Sequence, residues 1–381
     1  MPDTKPKKAV FIHSKELEDF AYPTEHPFIT KRAALTCNKL TSMGLLSGPD
    51  RDVAGPLPAT REELEAFHTP RYLEALRRAG DGDLDPDALF MGLGSSDCPV
   101  FEGMYDYSVL ACGATLTGAR LLLSGEADVA FNPSGGYHHA GPEKAAGFCY
   151  INDLAIACMA LAQQGRRVFY LDVDVHHGDG VQDAFYDRAD VMTVSLHETG
   201  RLLFPGTGFA DEIGTGEGEG YCANVPLPPG TYDGAYQRAF DAIVVPLLGA
   251  YDPDIIVLQA GMDALSGDPL AHLNLTNNAH AEALHRVIEF QKPVLATGGG
   301  GYHVDNTVRG WALAWAILCG EEEKEELHAG FGGVLMETTD WQGGLRDRAL
   351  APDDADRKRV DPRIEATIEA IRANVFPVHG L

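Results

Sequence analysis

Basic residues are scarce in this chain: 30 Lys and Arg stand against 56 Asp and Glu, leaving a formal net charge of −26 over 381 residues. Affinity for nucleic acid comes from basic patches, so a nucleic-acid partner is not expected. The same field favours approach of cationic partners such as lysine-rich segments or polyamines. Cysteine is thin as well: the 7 present form no C-x-x-C pair, which excludes a zinc-finger framework and reads as reduced thiols in a cytoplasmic protein. No secretory leader and no long uncharged apolar run is visible, so no membrane association is expected. Neither G-x-x-x-x-G-K-[ST] nor G-x-G-x-x-G follows a strand-like run, which weakens a phosphate-binding reading of the glycines.

What is present is alternation. Strand-like runs fall at 10–13, 128–131, 168–173, 191–196, 255–259 and 294–297, with helical patterns at 152–164, 179–186, 232–249 and 278–290 between several of them. Helices are also expected at 27–41, 70–79, 102–123 and 311–318, and a capping-box pair, Thr60 and Glu63, heads another. Apolar strands alternating with helices predict an α/β protein whose mostly parallel sheet is covered on both faces. Residues 340–359 read as a charged loop, and Ile364, Ile368 and Ile371 give a last amphipathic helix docked on the body. Repeats, linkers and low-complexity segments are lacking. One domain over 1–381 is expected, with its motifs in 67–320 and a packed extension at 321–381.

The stretch 171–180, LDVDVHHGDG, directly follows a strand-like run. In a strand, Asp172, Asp174 and His176 share one face while Leu171, Val173 and Val175 share the other. Aiming two carboxylates and an imidazole at one buried place requires compensation, most economically a divalent metal. By spacing alone, the cluster could equally be an ion-paired or capping group.

Ligands of parallel sheets bind beyond the carboxyl ends of the strands. There this chain carries His138 and His139, Asp174 and His176, Ser195 and His197, Asp263, and the glycine run ending in Tyr302 and His303. Asp174, His176 and the distant Asp263 supply three ligands, leaving a position open for water as in a catalytic zinc site. Such a metal acidifies water and polarises a carbonyl. His138 and His139 are candidates for the general base, with Asp172 and Asp179 available to fix their tautomers. Tyr302, on a turn of glycines, can donate to a developing oxyanion. His177 and His303 read as structural. These parts suit amide hydrolysis.

The segments FHTPRYLEAL, GLGSSDCPVFEG, SGGYHHAGPEKAAGFCYINDLAI, LDVDVHHGDGVQDAF, VMTVSLH, LFPGTG, IVLQAGMDALSGDPL and GGGGYH run in order from 67 to 303. Together they resemble the zinc-dependent histone deacetylase family, in its class I-type and bacterial acetoin-utilisation branch. The resemblance implies the arginase–deacetylase α/β fold, with a central sheet of about eight strands. It implies zinc on Asp174, His176 and Asp263, although iron can take such a site because availability decides as much as affinity. His139 with Asp179 resembles the general base. His138 with Asp172 resembles the partner that stays protonated and helps the leaving amine, and Tyr302 the carbonyl-polarising tyrosine.

By the same resemblance, Phe148 and Phe204 wall a narrow tunnel, with Gly147, Leu270 and Gly300 beside them. Asp97 stands at the rim to hold the substrate backbone. A monovalent cation, potassium or sodium, is implied at Asp172, Asp174, His176, Ser195 and Leu196, and a second near Phe185, Arg188, Val191 and Tyr221. Arg32 is placed near an acetate exit path. The implied reaction is hydrolysis of N6-acetyl-lysine in proteins. An acetylpolyamine amidohydrolase, or a deacylase of another acyl-lysine, shares the chemistry. A non-catalytic acyl-lysine binder would lack Tyr302 or a ligand, and a manganese ureohydrolase would want more Asp and His than these motifs provide.

Overall fold

The computed structural model describes residues 7–321 and 344–381. Eight strands form one sheet: β1 (Ala9–Ile12), β2 (Arg51–Ala54), β3 (Val129–Asn132), β4 (Val168–Asp172), β5 (Val191–Glu198), β6 (Cys222–Leu227), β7 (Ile255–Gln259) and β8 (Val294–Thr297). Their order is β2-β1-β3-β8-β7-β4-β5-β6, and every pairing is parallel. The expected α/β class and sheet therefore hold.

Twelve α-helices lie among the described residues: α1 (Arg32–Ser42), α2 (Arg61–Glu65), α3 (Pro70–Gly80), α4 (Pro86–Phe90), α5 (Met104–Leu123), α6 (Asp153–Gln163), α7 (Asp179–Phe185), α8 (Asp233–Ala239), α9 (Val245–Tyr251), α10 (Asn277–Glu289), α11 (Val304–Leu318) and α12 (Asp354–Asn374). Strand alternation sorts the core into two halves. Phe169 and Leu171 of β4 face the side covered by α10, α11 and α12, while Val168 and Tyr170 face α5 and α6. Trp311 and Trp315 of α11 are fully buried and donate their indole N–H groups to the carbonyls of Ala260 at 2.7 Å and Leu45 at 2.9 Å. Burial of side chains this large contributes roughly 2–3 kcal/mol each, and the hydrogen bonds keep the polar tips satisfied.

Several boundaries differ from the sequence reading. The first helix starts at Arg32 rather than 27, because His26 Nδ1 takes the Phe28 N–H (3.1 Å) and Thr30 donates to the Phe20 carbonyl (2.7 Å), holding a turn there. The helix expected over 232–249 is divided by a π-helical turn, Phe240–Val244. Pro246, just beyond it, lacks the N–H that would continue a regular ladder. β2 and β6 went unread, and both are edge strands. The loop expected over 340–359 is helical from Asp354, whose start Asp353 caps by accepting from the Asp356 N–H at 2.7 Å; 340–343 lie outside the described residues. α12 packs on β6 and α8, as expected of the extension. No described helix is long and apolar enough to cross a membrane.

Candidate active site

All five strand ends singled out above converge on one rim. β4 ends at Asp172, and the chain beyond it turns so that Val173 and Val175 stay in the core while Asp174 and His176 face inward. β7 ends at Gln259, four residues before Asp263. One ligand atom each from buried Asp174, His176 and Asp263 lie within 4.8 Å of one another. His176 Nδ1 stands 3.2 Å from Asp174 Oδ1 and 3.0 Å from Asp263 Oδ2.

This cluster fits a divalent cation on its own electrostatics. Burial opposes a charged His176, yet its hydrogen bonds to Asp174 and Asp263 push it up to about 10, so a proton is held between the carboxylates. Burial and the Asp174 charge raise Asp263. A site that captures a proton this firmly is built for positive charge.

The carboxylates are braced from behind. Asp174 Oδ2 accepts from Gln259 Nε2 and from the Gly300 N–H, each at 2.7 Å. Asp263 Oδ1 accepts from the Val175 N–H at 2.9 Å. A Cβ on Gly300 would overlap the Asp263 carboxylate, so only glycine lets the backbone come this close.

His138 and His139 lie side by side, with Nε2 atoms 3.0 Å apart. His138 Nδ1 faces Asp172 Oδ2 at 2.8 Å, and His139 Nδ1 faces Asp179 Oδ1 at 2.7 Å. Their environments push them apart. Burial disfavours charge on both, but Asp172 and Asp174 outweigh it at His138, which rises to about 9. At His139 burial and the neighbouring His138 charge prevail, and it falls to about 4. The electrostatics thus favour charge on His138 over His139, whose Nε2 faces His138 Nε2. Paired groups with opposed shifts mark acid–base machinery.

Aromatic rings border this group. Phe204 packs edge-on to His139 at 4.9 Å between centroids, and Phe148 to Tyr302 at 5.6 Å. Tyr302 also stands 6.4 Å from His176. Gly147 and Phe148 both have left-handed backbone, φ 54° and 68°, and a Cβ on Gly147 would strike the His139 ring. Leu270 donates its N–H to Asp268 Oδ1 (3.0 Å), whose Oδ2 accepts from the Tyr302 N–H (2.7 Å). Asp97 Oδ2 accepts from the Gly147 N–H at 2.6 Å, so it braces the wall from the rim.

Asp172 and Ser195 are register partners on β4 and β5, which places Asp172, Asp174, His176, Ser195 and Leu196 at adjoining strand ends. Ser195 Oγ is 2.8 Å from His197 Nδ1. Phe185, Arg188 and Val191 cluster in the turn from α7 to β5, and Tyr221 joins them through its carbonyl, which accepts from the Thr193 N–H at 2.9 Å. The Arg188 guanidinium is committed to Asp190 at 2.7 Å, leaving only its carbonyl for any ion. His177 bonds Thr207 and Gln182, and His303 accepts at the head of α11.

Sequence reasoning missed Gln259, Asp268 and Tyr170, whose hydroxyl donates to Asp172 Oδ2 at 2.5 Å. Gln259 had a signal, as the one polar residue closing an apolar strand; Asp268 and Tyr170 had none. Arg32, buried, donates to the carbonyls of Gly301 (2.5 Å) and Gly299 (3.0 Å), pinning the glycine turn.

A buried Asp–His–Asp cluster beside paired histidines, at the carboxyl rim of a parallel sheet, is an arrangement suited to a hydrolase. The family model "Histone deacetylase domain" matches residues 26–318, and the chain belongs to the histone deacetylase family. It is 40% identical over 321 residues to histone deacetylase 8 of Xenopus tropicalis, covering 84% of this chain and 86% of that one. To the acetoin utilization protein AcuC of Bacillus subtilis it is 40% identical over 329 residues, 84% of each chain. The crystal structure of an HDAC homolog from Aquifex aeolicus superposes with a TM-score of 0.83 at 34% identity, over 95% of this chain and 100% of that one.

Proposed function

We propose that the chain hydrolyses the acetyl amide of N6-acetyl-lysine in proteins, releasing acetate and the free lysine amine. The observation that carries this reading is the pair of histidines, each hydrogen-bonded to its own aspartate, beside the Asp174–His176–Asp263 cluster. Asp174, His176 and Asp263 would hold the metal, zinc as the family generally uses and iron as a substitute. When bound, a divalent cation supplies the Lewis acidity that acidifies water and polarises a carbonyl oxygen.

The rest is done by the chain. His139 Nε2 takes the proton of the attacking water, and Asp179 holds the resulting imidazolium. His138, kept cationic by Asp172, stands ready to give the departing amine its proton. The Tyr302 hydroxyl donates to the acyl oxygen as negative charge develops there. Phe148 and Phe204, with Gly147 and Leu270, enclose the apolar lysine stem, and Gly300 keeps the floor low. Asp97 holds the rim, where it meets substrate backbone. A monovalent cation, potassium or sodium, would sit among Asp172, Asp174, His176, Ser195 and Leu196, and a second near Phe185, Arg188, Val191 and Tyr221.

His139→Ala should abolish turnover of an acetyl-lysine peptide; near-full remaining activity would sink the mechanism. The net charge of −26 favours a second substrate class, acetylpolyamines. Turnover of acetylspermidine exceeding that of the peptide would move the assignment there.

A further inference from the structure

A groove of about 980 Å³ runs between the loop 199–211, which carries Phe204, the segment from the end of β6 and the outer face of α12. Leu202, Phe209 and Pro228 give it an apolar lining, and its charged residues are Arg201, Arg363 and a single carboxylate, Asp211. We propose that this groove is a subsite for an Asp- or Glu-bearing stretch of the acetylated protein, a few residues from the acetyl-lysine. The inference rests on the deacetylase reading above and names a substrate feature that reading leaves open.

Charge is the first ground. Acidic residues outnumber basic ones 56 to 30, and surface arginines are readily claimed: Arg71, Arg77, Arg78, Arg238 and Arg286 are each ion-paired. Arg201 and Arg363 line one groove, are exposed, and form no ion pair among the described residues. A guanidinium presents a planar fork of donors matched to a carboxylate. Asp211 is bonded to neither, so the groove keeps a local positive excess. The field of the whole chain repels acidic ligands, so any selection here is a short-range contact.

Position is the second ground. Arg201 is three residues from Phe204, so their Cα atoms lie no more than about 11 Å apart. An extended peptide advances about 3.3 Å per residue, which puts the selected carboxylate roughly three to five residues from the acetyl-lysine. Leu202, 66% exposed between the two features, offers apolar surface to the intervening side chains.

The test compares peptides identical except for Glu or Gln at positions three to five from the acetyl-lysine, on either side. The expected result is a kcat/KM about fivefold higher for one Glu peptide, carried by KM and shrinking as salt is raised to about 0.5 M. In R201Q/R363Q, with its fold checked by circular dichroism, the ratio should fall to one; in D211N it should rise. Equal turnover of Glu and Gln peptides by the wild-type chain would overturn the subsite and leave the deacetylase reading standing. A ratio unchanged in the double variant would do the same. Self-association abolished by R363Q would assign the groove to a second copy and overturn it as well. No turnover of any peptide would overturn the reading beneath it.

Discussion

Replacing Asp179 by Asn removes the charge facing His139 Nδ1 at 2.7 Å while keeping a group of the same shape. The Gly180 N–H donates to the same oxygen at 3.0 Å, so the amide oxygen has a reason to stay in place. What is lost is a charge-assisted hydrogen bond to an imidazole that becomes cationic as water is deprotonated. Such a bond is worth about 1.5–3 kcal/mol, and its loss in the transition state alone lowers kcat about 10- to 150-fold. Metal content should not change, because Asp179 touches no member of the triad. Asp174→Asn is the contrast. Its carboxylate is one of two in the cluster, and without it the metal affinity should fall by more than the 10–100-fold typical of an outer partner. Both variants are dialysed against a zinc buffer, the metal-to-protein ratio is read by mass spectrometry, and turnover of an acetyl-lysine peptide is measured in parallel. Equal metal loss in the two would refute the division of roles within 171–180.

Tyr302→Phe should lower kcat about 10²–10³-fold with KM and metal content little changed, as expected of a donor that acts on developing charge; a drop below tenfold would remove the hydroxyl from the reaction. Gly147→Ala adds a Cβ against the His139 ring at a left-handed φ, so turnover should fall at least about tenfold while the metal stays; wild-type kinetics would show the wall to be pliable. His68, buried and accepting the Asn152 N–H at 3.0 Å, is pushed down to about 4. An unfolded His titrates near 6.5, so the stability it contributes is complete above about pH 6.5 and lost as pH falls toward 4, on the order of 3 kcal/mol. His68→Gln keeps an acceptor without the titration and should flatten the pH dependence of the urea midpoint in that window; an unchanged slope would rule His68 out as a source.

Legibility tracked burial. The six strands read from sequence are runs of apolar residues, and all six sit inside the sheet, between the edge strands β2 and β6. β2 is RDVA, half exposed at one edge, and β6 contains Pro226 at the other. Neither alternates cleanly, because an edge strand has one free flank and tolerates polar residues and proline. α12 was cut short for a related reason: Pro362 and a run of charges mask a helix held by Val360, Ile364, Ile368 and Ile371 against β6. At the site, residues carried by recognisable motifs fell together on one rim. Gln259, Asp268 and Arg32 act by placing other groups, and which carboxylate, N–H or carbonyl they reach is settled by chain crossings 34 to 269 residues apart in sequence.

Phe148 owes its place to its backbone. A bulky residue at φ 68° costs roughly 1–2 kcal/mol, and the conformation is kept by outside contacts: the Tyr22 hydroxyl donates to the Phe148 carbonyl at 2.6 Å, and Asp97 holds Gly147. Tyr22 lies 126 residues away in sequence, outside every motif named above. A mutation at Tyr22 can thus shift the aromatic ring while leaving Asp174, His176, Asp263 and both paired histidines untouched. On the proposed function, which acyl group is admitted and how its bond is cut would then be inherited separately, and one can drift under selection while the other stays fixed.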